Sequence, residues 1–298
     1  MADRLDDRDW ETLLQRIKDG KCTPFLGAGA SAEVVPLGSQ LATRWAEAHG
    51  YPLRDSTQLA RVAQYLAVER DPYYPKEVLQ REFEAIEPPD FSQAHSPHGI
   101  LADLDLPLYL TTNYDGFMEA ALRDRKRDPR TENCRWNDYL HFEAPDNPNG
   151  DSAPTVANPV VYHLHGHYEL PQSLVLTEDD YLDFLVRLTR DQQDMLPAYI
   201  RAALAGTSLL FVGYSLADWS FRVLFRGLVS SLGAQARMTS IAVQLMTDNE
   251  DTTPAAVESA KAYMSNYFST IQEIKVRTYW GPASEFAEEL SSRWHAFA

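Results

Sequence analysis

The sequence has little cysteine, little positive charge and no long apolar run. Cys22 and Cys134 are the two cysteines among 298 residues, which excludes a disulfide framework and a four-thiolate zinc site. With 27 basic and 43 acidic side chains the formal charge is −16, which argues against a broad nucleic-acid-binding face. The longest apolar run, 208–212, is far shorter than the roughly 20 residues that span a bilayer. The charged start, 1–9, lacks the apolar core of a signal peptide, so we expect a cytoplasmic protein without membrane attachment.

Short apolar segments alternate with helical patterns along the chain. We predict strands at 22–26, 107–111, 159–164, 208–212, 239–245 and 271–279. Helices are predicted at 8–19, 38–49, 56–70, 76–86, 191–205, 217–231, 254–267 and 283–294, with further helices starting at Asp115 and Thr177. This alternation predicts a Rossmann-like α/β fold, in which a mostly parallel sheet carries helices on both faces.

The connections between these elements predict the domain organisation. The segments 38–106 and 124–155 are larger than simple crossovers need, and 124–155 is rich in Asp, Asn, Pro and Gly. Strand signals resume immediately after 124–155, which makes it an excursion from the core and not a domain boundary. We therefore predict a single domain, 1–298, in which 38–106 and 124–155 form a smaller helical and loop cap over the ligand site.

Four polar motifs follow predicted strands, at the edge where open parallel sheets bind ligands. The first, Gly27–Ser31, has two glycines that would let the backbone approach a pyrophosphate. The second, Thr111–Asp115, carries the amide of Asn113, which can both donate and accept. The third is His163–His167, with three alternating histidines, and the fourth is Phe211–Leu216, a glycine turn after the most apolar strand.

Each motif also has a structural interpretation. Gly27–Ser31 lacks the third glycine of the dinucleotide fingerprint and could be a tight turn. Asp115 could cap the helix that follows it. Alternation puts the histidines of His163–His167 on one side of an extended segment, but no carboxylate or thiolate at compact spacing completes a metal site, so we expect one catalytic and two structural histidines. Gly213–Ala217 lacks the second glycine of a nucleophile elbow, which disfavours a serine hydrolase.

Taken in order, the motifs resemble those of the sirtuin family of NAD-consuming enzymes. Gly27–Ser31 resembles the first phosphate loop of the family, and Val35-Pro36 resembles the Ile-Pro that follows that loop. Thr112–Asp115 resembles the Thr-Gln-Asn-x-Asp segment, shortened by one residue. Leu164–Gly166 resembles the segment with the catalytic His-Gly pair, and Gly213–Leu216 resembles the Gly-Thr-Ser-Leu loop.

The resemblance covers 22–245, and its departures are informative. Sirtuin deacylases carry a zinc ribbon of two Cys-x-x-Cys pairs, and this sequence has no such pair. The Phe-Arg-Gly segment after Ile-Pro is replaced by 37–41. Both departures point to the zinc-free, sirtuin-like branch of bacterial antiphage systems, which resembles NAD glycohydrolases that deplete the cell's NAD on infection. Many members of this branch carry an additional sensor domain, which we do not expect in a chain of 298 residues. The sequence is therefore similar to the members encoded beside a HerA-type DNA-translocating ATPase. That similarity implies a homo-oligomer and a HerA-type partner.

The resemblance implies cleavage of the nicotinamide–ribose bond of NAD through an oxocarbenium-like transition state. Asn113 would hold the attacking water or the ribose hydroxyls, and His165 would act as a general base because an ordinary histidine pKa lies near the working pH. NAD is the substrate, and we expect no zinc or other metal to be needed. The residues expected to hold NAD are Gly27, Ala28, Gly29, Ser31, Thr112, Asp115, Gly213, Tyr214, Ser215 and Leu216.

Three other functions stay open at this point. An NAD-dependent protein deacylase would need an acylated peptide for turnover. A non-catalytic sensor of NAD or ADP-ribose would require neither Asn113 nor His165, so the presence of both favours an enzyme. A nuclease within a larger assembly lacks a carboxylate cluster with convincing spacing, and the net charge opposes it, so we expect no direct sequence-specific binding of nucleic acid.

Overall fold

The computed structural model describes residues 5–143, 153–190, 195–214, 240–244, 258–259, 262–263, 266 and 276–297. Its strands are β1 Cys22–Leu26, β2 Leu108–Thr111, β3 Arg130–Asn133, β4 Val160–His163, β5 Ser208–Tyr214, β6 Ser240–Gln244 and β7 Val276–Trp280. They form one sheet in the order β3-β4-β2-β1-β5-β6-β7, and every neighbouring pair is parallel. The predicted parallel sheet is confirmed, and β3, which lies inside 124–155, is an additional edge strand.

Helices connect these strands. In chain order they are α1 Asp7–Lys18, α2 Gly38–His49, α3 Leu59–Glu69, α4 Tyr74–Glu84, α5 Pro97–Asp103, α6 Phe117–Asp124, α7 Asp138–Glu143 and α8 Glu178–Arg190, followed by Ala198–Gly206 and Ala283–Phe297. Short 3₁₀ turns occupy Ala28–Ala30 and Pro171–Ser173. The predicted helix 217–231 and most of 254–267 lie outside the described residues. No described helix has the length and apolarity needed to cross a membrane.

Local sequence signals explain where these helices begin. The Asp6 side chain accepts a hydrogen bond from the Asp9 amide at 2.8 Å and so caps α1. Ser96 caps α5 through the Gly99 amide, with a proline at the first helical position. The Asp180 side chain accepts a hydrogen bond from the Thr177 amide at 2.9 Å, and the Thr177 side chain accepts one from the Asp180 amide at 3.1 Å. This is the capping box that the sequence predicts for α8.

Apolar layers cover both faces of the sheet, as predicted. On one face α1 packs beside the helix Ala283–Phe297, and the rings of Trp10 and Phe286 stack with centroids 5.4 Å apart. On the other face Phe184 of α8 and Ile200 join the side chains that point from the strands to that side. A third apolar cluster holds α2, α3 and α4 together. The sheet is therefore a rigid platform, and α2–α4 form a small unit with its own core.

Candidate active site

The four motifs converge because their strands are neighbours in the sheet. Strand β1 lies between β2 and β5 in the sheet. The chain first adds β2 and then β3 and β4 on one side of β1, and later adds β5 on the other side. The gap beyond the ends of β1 and β5 is therefore the topological switch point, where open α/β sheets bind ligands. In the neighbouring pair of strands, β2 and β4, Thr111 of β2 is in register with His163 of β4. Asn113 and His165 each lie two residues past this register pair, at the same edge of the sheet.

The glycine turns after β1 and β5 are in direct contact. The Gly27 amide donates to the Val212 carbonyl at 2.9 Å, and Ala28–Ala30 then forms a 3₁₀ turn. Gly213 has a φ of +80°, and a Cβ placed on it would lie 2.1 Å from the Ala30 nitrogen. A Cβ on Gly27 would lie 2.9 Å from the Gly213 carbonyl oxygen. Glycine is required at both positions because the two backbones leave no space for a side chain.

We expect Gly213→Ala to lower the free energy of unfolding by roughly 2–5 kcal/mol, which combines left-handed backbone strain with overpacking. Urea denaturation measures this change. Gly206→Ala is the matched control, because Gly206 lies at a helix end and a Cβ there meets nothing within 4 Å. The control should be neutral or slightly stabilised. Equal unfolding midpoints for the two variants would contradict the close contact between the turns.

A directed hydrogen-bond chain links three of the predicted site residues. The Asn113 Nδ2 donates to Ser31 Oγ at 3.0 Å, and Ser31 Oγ donates to Asp115 Oδ2 at 2.8 Å. All three side chains are buried. Asn113 Oδ1 is also buried and has no hydrogen-bond partner within the described structure. A buried amide oxygen without a partner is costly, and a ligand hydroxyl or a water would satisfy it.

Asp115 binds the start of α6 and also takes part in the hydrogen-bond chain with Ser31. Its Oδ1 accepts from the amide of Phe117, the first residue of α6, at 3.1 Å; the N-cap position itself is Gly116, and the helix begins two residues later than predicted. Its Oδ2 belongs to the chain with Ser31. One carboxylate thus fixes a helix end and orients the hydrogen bonds of the site.

Thr112 and Tyr214 tie the strand ends together. The Tyr214 hydroxyl donates to the Leu26 carbonyl at 2.7 Å and lies 2.7 Å from Thr112 Oγ1. Its ring packs against Phe25 and approaches Gly27. Within the site, Ala28 is exposed and Gly29 is buried. Two further predicted NAD contacts, Ser215 and Leu216, lie outside the described residues.

His165 lies in an apolar pocket formed by α8. Its ring meets the rings of Tyr181 and Phe184 edge-on, with centroids 5.3 and 5.2 Å away. Burial lowers the pKa of His165 to about 3. The ring is therefore neutral at every ordinary working pH, and the expected pKa near neutrality is wrong because α8 removes water from it. No described group hydrogen bonds to the ring nitrogens.

This depressed pKa makes stability depend on pH. The unfolded chain binds a proton at His165 below a pKa of about 6.5, whereas the folded chain does not until about 3, so stability is lost as the pH falls. Between about pH 7 and pH 5 we expect His165 to account for a loss of about 2 kcal/mol. Urea denaturation of wild type and His165→Gln at both pH values measures this contribution. An equal acid loss in the two proteins would contradict it.

The other two histidines of the motif face a different group. Strand β4 ends at His163 and Gly166 has a φ of +84°, so the alternation that would align all three imidazoles does not continue. His163 Nε2 lies 2.9 Å from Glu119 Oε1. Burial lowers the pKa of His163, but the Glu119 carboxylate outweighs burial and the net pKa is raised. The ring of His167 stands perpendicular to that of His163, with centroids 4.8 Å apart.

Sequence reasoning missed two buried groups near the site. His98 of α5 has its Nε2 3.5 Å from Ser31 Oγ, and burial lowers its pKa. Glu119 of α6 is 1% exposed and pairs with His163. One signal for Glu119 was available, since it follows Asp115 by four residues, the spacing that puts two residues on one face of the helix that the sequence predicts from Asp115. Nothing in the sequence around His98 indicates its position.

A parallel sheet with a glycine-lined switch point and a buried polar cluster places the chain among the open α/β sheet proteins, many of which bind nucleotides at this edge. Residues 107–268 match the family described as a SIR2-like domain, which is more than half of the chain. The chain therefore belongs to the SIR2-like family, and the sirtuin-like prediction is confirmed.

Three curated relatives carry the name NAD(+) hydrolase ThsA. The protein of Enterococcus faecium is 31% identical over 121 residues, 41% of this chain and 22% of that protein. Those of Cytobacillus dafuensis and Bacillus cereus are 25% and 27% identical over 207 and 200 residues, which are 69% and 65% of this chain. The chain spans 37% of each of the latter two proteins, so it corresponds to a part of these relatives. A solved Sir2 enzyme aligns over 98% of the chain with 12% identity and a TM-score of 0.40.

Proposed function

We propose that this chain hydrolyses NAD to nicotinamide and ADP-ribose. The observation that carries the proposal is the buried chain from Asn113 through Ser31 to Asp115 beside the glycine-lined switch point. A dinucleotide needs a backbone surface for its pyrophosphate and polar groups for its reacting end, and this edge of the sheet offers both. The three relatives that are named NAD(+) hydrolase ThsA support the same activity.

In this proposal the two ends of NAD lie on different motifs. Gly27, Ala28, Gly29 and Ser31 hold the pyrophosphate, and Thr112 and Tyr214 fix the strand ends below it. Gly213, together with Ser215 and Leu216, lines the adenosine side. The close contact between the turns at Gly27 and Gly213 supports this arrangement, because it keeps side chains away from the pyrophosphate surface.

The reacting end belongs to Asn113, Asp115 and His165. The unpartnered Oδ1 of Asn113 accepts a hydrogen bond from the attacking water or from a ribose hydroxyl. Asp115 orients the carboxamide of nicotinamide. His165 is neutral and weakly basic, so it accepts a hydrogen bond from a hydroxyl or water and does not remove a proton completely before the bond breaks. Nicotinamide leaves as a neutral molecule without a general acid, water adds to the oxocarbenium-like carbon, and the proton of that water passes to solvent because His165 does not retain it.

Separating the products of an NAD incubation by chromatography tests the function. We expect nicotinamide and ADP-ribose in equal amounts without any acylated peptide. Nicotinamide release only when an acylated peptide is present would overturn the proposal in favour of a deacylase. The alternative result is that NAD binds saturably but stays intact, both with the purified chain and with the assembly purified with its partners. That result would overturn the proposal in favour of a sensor.

The context of this activity is also part of the proposal. We propose a single cytoplasmic domain that acts in antiphage defence as a homo-oligomer, with a HerA-type ATPase as partner. The names of the ThsA relatives support NAD hydrolysis, and the resemblance of the motifs to the zinc-free antiphage branch supports the defence role. The segment 38–106 contains α2–α4, whose separate core also includes Leu174 and Leu176, close in sequence to His165. This supports a cap that gates NAD access, and we propose that 124–155 contributes to the same cap. Light scattering on the purified chain tests the oligomeric state.

A further inference from the structure

A second polar cluster lies next to Asn113, on the side of α6. Glu119, His163 and His167 are all buried and come from three separate elements: α6, the end of β4 and the turn that follows it. One ligand atom from each residue lies within 4.8 Å of the others. The sequence offered no carboxylate at compact spacing to complete a histidine site. The fold supplies one from 44 positions earlier in the chain.

The surroundings of His163 are those of a metal-ligating histidine. Its Nδ1 lies 3.1 Å from the Asn113 carbonyl oxygen, an acceptor that fixes the proton on Nδ1 and the orientation of the ring. The outward Nε2 then faces Glu119. Histidines that bind metals almost always donate their other ring N–H to a carbonyl or carboxylate in this way.

Hydrogen bonds alone leave the cluster incompletely satisfied. Glu119 Oε1 is paired with His163 and accepts from Thr131 Oγ1 at 2.9 Å, whereas Glu119 Oε2 is buried and has no hydrogen-bond partner among the described residues. For the His167 ring the described polar contacts are long ones, from Nδ1 to the Glu169 amide at 3.3 Å and to Glu169 Oε2 at 3.8 Å. A buried carboxylate oxygen with no partner carries a desolvation cost. A cation between the three side chains would remove that cost.

The fold leaves room for an ion and a path to it. A Cβ on Gly116 would lie 2.9 Å from His167 Nε2, so glycine at 116 makes space for this ring. A cavity of about 260 Å³ is lined by Asp115, Glu119 and His167 among others, and it connects the cluster to solvent. A tetrahedral ion with ligands at about 2.0–2.2 Å places the donor atoms roughly 3.4 Å apart, so the pair at 2.9 Å would separate slightly and donors as far apart as 4.8 Å would close by up to roughly 1.4 Å.

We propose that Glu119, His163 and His167 form a binding site for a divalent transition-metal ion. Two imidazoles and one carboxylate suit Zn²⁺ and its neighbours in the first transition row, and the cavity leaves a fourth position for water. The ion replaces the proton between His163 and Glu119. Because His163 also holds the Asn113 carbonyl, the site would stiffen the loop that carries Asn113. The proposal does not depend on NAD hydrolysis, since metal binding is measured directly.

The test titrates Co²⁺ into full-length protein that has been stripped with a chelator, and follows the visible absorption of the ion. We expect one equivalent to bind and to produce the intense bands of four-coordinate cobalt, with Zn²⁺ displacing it. His167→Ala and Glu119→Gln should each weaken Co²⁺ binding by at least about 10-fold. His95→Ala is the control, because the His95 side chain is half-buried beside Glu33 and lies outside the cluster.

His167→Ala is the decisive variant, since it keeps the Glu119–His163 pair that supports the fold. Thermal unfolding identifies any variant that has lost its structure. Absence of the cobalt bands in wild type would overturn the proposal, and the cluster would then be a buried ion pair only. Equal Co²⁺ affinity for wild type and a folded His167→Ala would overturn it as well, because the ion would then bind elsewhere.

Discussion

Replacing His165 by alanine is expected to lower kcat for NAD hydrolysis by about 10²-fold, because the hydrogen bond that orients the hydroxyl or water is lost. The ring lies at the same sheet edge as Asn113, and no described group hydrogen bonds to its nitrogens, so they are available to the substrate. Alanine would leave an apolar space between Tyr181 and Phe184 with nothing to orient a hydroxyl. Initial rates of nicotinamide release at saturating NAD measure the effect.

The pH dependence of kcat/KM distinguishes the roles that His165 could have. Burial holds its pKa at about 3, so as the pH falls the free enzyme gains a proton at His165 only far below neutrality. We therefore expect no acid limb from this residue near pH 6.5. A limb at about 6.5 that disappears in His165→Gln would contradict the buried, neutral ring. Wild-type activity in His165→Ala would remove the residue from the mechanism, and His95→Ala controls for the loss of any histidine.

The predictable part of the fold is the part where local pattern and packing agree. β1, β2, β4 and β5 are short apolar runs that end in polar or glycine motifs, and the structure buries each of these strands completely. Because parallel strands present their carboxyl ends at one edge, the sequence alone places the motifs together. The pair of Asn113 and His165 was predictable for this reason.

The unpredicted features depend on contacts between distant segments. β3 consists of Arg130–Asn133, four polar residues that carry no strand pattern, and it forms only because β4 offers a parallel edge. From sequence alone Glu119 would be placed on the solvent-facing side of α6, but in the structure it hydrogen bonds to His163 and Thr131 and is buried. The pKa of His165 is lowered because α8 buries its ring, and this burial is not visible in the sequence. Burial by tertiary packing is the physical quantity that the sequence pattern does not contain.

Replacing Asn113 by alanine is expected to lower NAD hydrolysis by at least about 100-fold while NAD binding and the fold persist. The substitution removes the unpartnered Oδ1 that we assign to the water or ribose hydroxyls. It also removes one hydrogen bond to Ser31, at a cost of about 1 kcal/mol, which removal of a buried, unsatisfied oxygen partly offsets. The backbone carbonyl that accepts from His163 stays in place. Product chromatography measures turnover, and calorimetry measures NAD affinity.

The value of Asn113→Ala lies in separating catalysis from binding. The glycine turns at Gly27 and Gly213 are untouched, so the pyrophosphate surface stays intact and affinity should change by less than the rate does. Asn158→Ala is the matched control, because it removes the same side chain from an exposed position. Retention of more than about a tenth of wild-type activity in Asn113→Ala would remove this residue from the catalytic step, since an oriented amide there should contribute far more. Equal losses of rate and affinity would instead assign Asn113 to ground-state binding of NAD.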